Sequence, residues 1–146
     1  MKQLTEVDSI QKPLPIADSD SHAMWEGLKK GELLLQHCED CGHVQYYQQG
    51  LCRICQSKKL VHRAASGRGI IHSYSVVHRS PGPAFRDDVP YAVLLVELEE
   101  GPRMISSLLG KDFTHLEIDS PVAMKTMRIS EQVFLPCFEL VNLADK

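Results

Sequence analysis

Apolar side chains recur along this chain with two different periods. Between Ser21 and Gly31 the large apolar residues Met24, Trp25 and Leu28 fall on one helical face. The segment opens on a capping choice of Asp20 or Ser21 and closes on Lys29, Lys30 and Gly31, the punctuation of a helix. A helix this short persists only against a surface, so Trp25 is expected as a packing anchor. From Glu32 onward the period becomes that of strands. Leu33 to His37 and Val44 to Gln48 flank a loop like the arms of a short hairpin, and Leu60 to Arg63 reads as a further strand. Ser66-Gly67-Arg68-Gly69 breaks the pattern, and five strands are predicted after it, near 70–79, 91–98, 104–109, 122–129 and 133–141. Residues 1–20 carry Pro13 and Pro15 and no sustained period, and read as an arm or linker.

The prediction is a mainly β chain in three parts: an N-terminal arm over 1–20, a helix plus ribbon over 21–65, and a barrel over 66–146. Five strands in about 75 residues, with the longest insertion between the third and fourth, fit a partly open barrel of the OB type. A five-stranded sandwich has the same pattern, because strand order cannot be read from periodicity.

Composition narrows the class. The chain has 146 residues, 43% hydrophobic and 24% charged, with a formal net charge of −3. That suits one ordinary or two small globular domains with a modest core. No apolar run reaches the roughly 18 residues of a membrane helix. Acidic residues stand where a signal peptide needs an apolar stretch, so a cytoplasmic setting with reduced thiols is expected. A slightly acidic chain also lacks the charge footprint of a general nucleic-acid binder.

The five cysteines change the picture most. Four of them form two turns, Cys38-Glu39-Asp40-Cys41-Gly42 and, with ten residues between Cys41 and Cys52, Cys52-Arg53-Ile54-Cys55-Gln56. Two residues between paired cysteines aim both sulfurs at one point, and two such turns supply four tetrahedral ligands. Disulfides are disfavoured by compartment, and a redox motif would need one reactive pair rather than two balanced ones. Cys38, Cys41, Cys52 and Cys55 are therefore the predicted ligands of a structural metal. Zinc stands ahead of iron, although both accept four thiolates. With every position filled by sulfur no site remains for water or substrate. Metal binding also supplies the folding energy that so small a ribbon lacks. Four thiolates around one divalent cation add −2, bringing the net charge to roughly −5. Gly42 suits the left-handed position that closes such a turn, whereas Gln56 must hold the matching place at some strain. His37 and His43 flank the first turn and are read as exposed neighbours rather than spare ligands.

The remaining candidates are weaker. Cys137 lies in the apolar run Val133 to Leu140 and reads as a small buried hydrophobe. As a nucleophile it would need His72, His78 or His115 brought near. Ser66-Gly67-Arg68-Gly69 reads as a hinge, with an anion-binding nest that uses Arg68 as the alternative. Arg68 and Arg79, with Arg86, are candidate ligand-binding residues if the fold gathers them. The acidic residues near turns, among them Asp87, Asp88, Glu99 and Glu100, read as solvated. Nucleophile-elbow, phosphate-loop and dinucleotide signatures are absent.

In order, Trp25-Glu26-Gly27-Leu28-Lys29-Lys30-Gly31-Glu32-Leu33, the two cysteine turns and Ser66 to Arg79 resemble an acyl-CoA-associated family with an N-terminal helix, a rubredoxin-like zinc ribbon and a C-terminal OB fold. The resemblance spans about residues 22 to 141. It implies a non-catalytic subunit that assembles with thiolase-fold or ketoacyl-synthase-like partners, and it places the metal ligands on the same four cysteines. No catalytic residue carries over. Length and the single ribbon narrow the likeness to the small subunit of a bacterial multicomponent acyltransferase, such as one converting monoacetylphloroglucinol to diacetylphloroglucinol in secondary metabolism. The alternative is a single-stranded nucleic-acid-binding module, since ribbons and OB folds both serve that role. It would need a basic groove with exposed aromatics such as Tyr46, Tyr47 and Tyr74, which the negative charge opposes.

Overall fold

A computed structural model describes residues 12–141. The described residues form an α-helix, α1 (His22–Lys29), followed by β1 (Leu34–Cys38), β2 (Val44–Gln45) and β3 (Leu60–Ala64), then β4 (Arg68–Val77), a 3-10 turn (Pro83–Phe85), β5 (Tyr91–Leu98), β6 (Arg103–Ser107), β7 (Pro121–Arg128) and β8 (Phe134–Leu140). Among the described residues no helix is long and apolar enough to cross a membrane.

The helix forms where its punctuation falls, but Asp18 rather than Ser21 secures its start. The Asp18 carboxylate accepts the Ser21 backbone N–H at 2.8 Å and the Ser21 hydroxyl at 2.6 Å, while the Ser21 oxygen accepts Trp25 Nε1–H at 3.2 Å. The buried polar Ser21 is thereby satisfied, as its position requires. Met24 and Leu28 are fully buried, and Trp25 packs against the same core.

β1 is the centre of a three-stranded antiparallel sheet in the order β2-β1-β3. The other five strands run β6-β5-β4-β7-β8. Leu108 bridges Phe138 in parallel, and the Leu109 N–H donates to the Phe138 carbonyl at 2.7 Å, so β6 meets β8 and the sheet becomes a nearly closed ring. That ring is the OB barrel, and it removes the sandwich alternative. The alternation of β5 sends Ala92, Leu94, Val96 and Leu98 inward, where they meet Ile71, Met104, Val122 and Phe138. The insertion between β6 and β7 contributes Leu116 and Phe113 to that core.

One finding departs from the sequence pattern. Arg68 and Gly69 belong to β4 instead of interrupting it: Gly69 pairs with both Leu98 and Val122. A Cβ on Gly69 would stand 2.5 Å from the Glu97 carbonyl oxygen, so glycine is there to let two strands approach. The helix finds the surface that its shortness requires, and that surface is the barrel core. Met24, Leu28, Leu33 and Leu35 share one continuous core with the barrel. Of the arm, residues 1–11 lie outside the described residues. Its remainder runs without regular structure past the Lys12–Asp88 ion pair (2.7 Å), with Ile16 89% exposed.

Candidate metal centre

The two cysteine turns are built alike. In the first, the Cys38 N–H donates to the His43 carbonyl and the Gly42 N–H to the Cys38 carbonyl, both at 2.9 Å. In the second, Cys52 donates to Ser57 at 2.9 Å and Gln56 to Cys52 at 3.0 Å. Each knuckle closes on a left-handed residue, Gly42 at φ 76° and Gln56 at φ 61°. The strain read at Gln56 from the sequence is thus present in the backbone. Asp40 in the first knuckle accepts the Ser57 hydroxyl of the second and pairs with Lys59 at 3.6 Å, tying the two together.

This symmetry brings the sulfurs of Cys38, Cys41, Cys52 and Cys55 within 4.8 Å of one another. Cys38 Sγ and Cys55 Sγ are 3.5 Å apart, and Cys41 Sγ and Cys52 Sγ 3.6 Å. A disulfide would bring two sulfurs to about 2.05 Å. Four thiolates around a tetrahedral zinc at about 2.3 Å stand about 3.8 Å apart, so the residues present fit a metal ion. Cys38 and Cys52 are buried, and Cys41 and Cys55 face outward.

Backbone amides prepare the charge. The N–H groups of Cys41 and Asp40 draw the Cys38 thiol below its ordinary value, and those of Cys55 and Ile54 draw Cys52 down to about 7. At Cys41 and Cys55 the amides of His43 and Ser57 pull the same way, but desolvation and the neighbouring sulfurs outweigh them, and Cys55 is pushed up to about 12.

Sequence reasoning missed the device that holds the loop between the knuckles. Gln36, Gln45 and Gln48 are buried polar residues. Gln45 Nε2 donates to Gln36 Oε1 at 2.9 Å and its Oε1 accepts the Arg53 N–H at 3.0 Å. Gln36 grips Gln49 through both backbone groups, and Gln48 Nε2 reaches the Leu34 carbonyl at 2.7 Å. Arg53 donates from Nη1 and Nη2 to the carbonyls of Tyr46 and Tyr47 at 2.9 and 3.0 Å. β2 has only two residues, so side-chain amides replace the ladder bonds that a longer strand would supply. The clustering of four glutamines from 36 to 49 around the cysteines was the available signal.

The other candidates fall apart in space. His37 and His43 are half-buried rather than exposed, outside the sulfur cluster, and burial pushes His37 downward. Arg68 opens β4 and Arg79 lies two residues beyond its other end, so the length of the strand stands between them. Arg68 pairs with Glu99 at 3.4 Å, its N–H bonds Ser66 Oγ, and the Ser66 N–H bonds Glu100. Glu100 is accordingly half-buried and not a solvated turn residue. Cys137 is buried, its thiol raised by burial and donating to the Lys125 carbonyl at 3.3 Å, while His72, His78 and His115 are exposed. Tyr46 sits edge-on to Tyr47 at 5.5 Å in the ribbon, and Tyr74 is on β4.

Comparison with known proteins agrees with this architecture. Residues 25–61 match the family model described as the ChsH2 rubredoxin-like zinc ribbon domain, and 62–126 match the ChsH2 C-terminal OB-fold domain. A DUF35 domain-containing scaffold protein of Methanothermobacter thermautotrophicus is 40% identical over 96 residues, covering 65% of this chain and 71% of that one. A protein of Thermomonospora curvata named "Probable enoyl-CoA hydratase alpha subunit" is 33% identical over 127 residues; the match covers 87% of this chain but only 39% of that subunit. The solved "Ltp2-ChsH2(DUF35) aldolase" contains a chain that superposes with a TM-score of 0.77 at 32% identity, over 86% of this chain and 98% of that one.

Proposed function

The chain belongs to the ChsH2 (DUF35) family of zinc-ribbon and OB-fold proteins, and from that premise we propose that it is a non-catalytic scaffold subunit that holds acyl-CoA enzymes of the thiolase or ketoacyl-synthase type in one complex. The observation that carries this reading is the contrast between a complete metal centre and the lack of any gathered catalytic set among the described residues. Four thiolates close the coordination sphere, so the ion organises the ribbon and takes no substrate. We assign Cys38, Cys41, Cys52 and Cys55 as the ligands and zinc as the ion, with iron as the competitor for the same sulfurs. The one thiol outside the cluster, Cys137, is buried and donates to the Lys125 carbonyl, not to a histidine. Relatives named as a scaffold protein, a hydratase subunit and an aldolase assembly support a role beside other chains.

Within that class we propose C-acetyl transfer to a small aromatic acceptor such as monoacetylphloroglucinol as the reaction served, on the sequence resemblance. The test is affinity purification from the native host, with identification of co-purifying chains and metal analysis on one sample. A thiolase-fold subunit at fixed stoichiometry and one zinc per chain are expected. A monodisperse chain that captures no acyl-CoA enzyme overturns the scaffold reading. A reconstituted complex that assembles but transfers no acetyl group to the aromatic acceptor overturns the narrower one alone.

A further inference from the structure

We infer that the outer face of β5 and β6, continued by the second cysteine knuckle, is the surface on which the enzyme subunit of the proposed complex docks. The inference rests on the scaffold reading above and gives it an address.

From Tyr91 to Val96 β5 reads Tyr-Ala-Val-Leu-Leu-Val, six residues with no charged position on either face before Glu97 ends the run. Such unbroken apolar strands are expected where both faces are buried. Here the inward set is buried, while the outward set of Tyr91, Val93 and Leu95 is only half covered. The register adds Val77 beside Tyr91 and Ile105 beside Leu95. Ile105, at 71% exposure, is among the most exposed large apolar side chains described. A free antiparallel sheet normally shows polar residues to water.

The chemistry of the occupant follows from charge and area. The outer rows between Tyr91 and Leu95 contain valine, leucine, isoleucine, tyrosine and serine, and no Asp, Glu, Lys or Arg. Charges appear only at the margins, and there they neutralise each other: Arg103 with Glu97 at 3.2 Å and Lys12 with Asp88 at 2.7 Å. The matching surface is therefore apolar and uncharged. Three strands and three rows give roughly 300 Å² at ordinary sheet spacings. A standard interface needs about 800 Å² from each partner, so a second copy on this face alone is too small a contact.

The surface continues instead into the ribbon. Glu97 and Arg103 form one wall of an open cleft of about 370 Å³ whose other wall is His43, Tyr46 and Arg53. Next to Arg53, Ile54 is 67% exposed. A different, larger subunit can span sheet face, cleft and knuckle together, which a barrel or a ribbon alone could not offer.

Ile105→Glu places a charge at an exposed position where the apolar rows meet the cleft, and Met127→Glu on β7 is the control at an exposed apolar residue elsewhere. Each is co-expressed with the thiolase-fold subunit, and affinity, thermal midpoint and metal content are measured. Ile105→Glu is expected to weaken association at least about tenfold with midpoint and metal content unchanged, while Met127→Glu associates normally. If Ile105→Glu misfolds, Ile105→Ser applies the same test with a smaller loss. Wild-type assembly matched by both position-105 variants overturns the face and leaves the scaffold reading standing. Failure of the wild type to assemble with any acyl-CoA enzyme subunit removes both. A wild-type homodimer that Ile105→Glu converts to monomer makes a second copy the occupant and overturns the assignment.

Discussion

The ribbon and the barrel solve the same problem, holding short strands together, by opposite means. The barrel buries a continuous apolar interior from Ile71 to Phe138, whose stabilisation is spread over many side chains. The ribbon has twelve strand residues in β1 to β3 and few apolar groups of its own, so it concentrates stability in four sulfurs and a set of glutamine amides. Distributed stability degrades gradually, whereas concentrated stability is lost in one step when the ion or one ligand goes. The helix and the start of β1 belong to the barrel side of this division, because Met24, Leu28, Leu33 and Leu35 lie in the barrel's core.

The largest effect should come from the metal. Chelation, or Cys52→Ser, should remove about 10 kcal/mol or more of ribbon stability. Hydrogen exchange should then show loss of protection between Cys38 and Lys59 while β4 to β8 stay protected. Global loss of protection would break the division. The reciprocal change is Phe138→Ala, which empties the centre of the barrel and should cost about 3–5 kcal/mol by denaturant titration. Ribbon and barrel should lose structure together in that variant, because the ribbon's first strand stands on the barrel core. Next, Gln45→Leu should cost about 2–3 kcal/mol, since it takes the acceptor from the Arg53 amide and the Gln45 donor from the Leu51 carbonyl, and leaves Gln36 Oε1 with the Gln49 N–H alone. Metal affinity is the appropriate readout, because the loop it loosens carries Cys52.

Tyr46 provides a pH probe confined to the ribbon. Burial pushes its phenol up to about 12 from an ordinary value of 10. A raised acid favours its neutral form in the folded state, so stability is level below pH 10, falls as pH rises from 10 to 12, and flattens above. The loss is on the order of 2–3 kcal/mol. Absorbance at the tyrosinate band should show one of the four tyrosines titrating about two units late. Tyr46→Phe should flatten the alkaline slope, and an unchanged slope would place the titration elsewhere.

How much of this was legible in the sequence depended on whether the signal was local. Strand ends after Ser66 were predicted to within two residues, because alternation and turn residues are properties of neighbours. The cysteine spacing predicted that four sulfurs would gather where they could hold a metal ion, and Gly42 and Gln56 marked both left-handed positions. Ring closure through Leu108 and Phe138 could not be read, since thirty residues separate the partners. For the same reason Gly69 looked like a hinge when it serves strand contact with Glu97. The glutamine clamp was hidden differently: glutamine is ordinarily a surface residue, and only burial shows that Gln36 and Gln45 act in place of a ladder.

The smallest effect tests the comparison inside the ribbon, where two knuckles with the same hydrogen bonds differ in one residue. Gly42 holds φ 76° with open space around its Cα, so a side chain there meets only backbone strain. Gln56 already bears that strain at φ 61°. Left-handed backbone costs a non-glycine residue roughly 1–2 kcal/mol, against which glycine loses up to about 1 kcal/mol of chain entropy. Gln56→Gly should therefore stabilise the second knuckle by less than about 1 kcal/mol, and Gly42→Gln should destabilise the first by a similar amount. Metal affinity of the two variants, measured by competition with a chromophoric chelator, should move in opposite directions. The double variant, which exchanges the two residues, should return close to the wild-type value. A double variant as weak as Gly42→Gln would mean that the Gln56 side chain makes a contribution of its own and that the knuckles are equivalent only in their backbones.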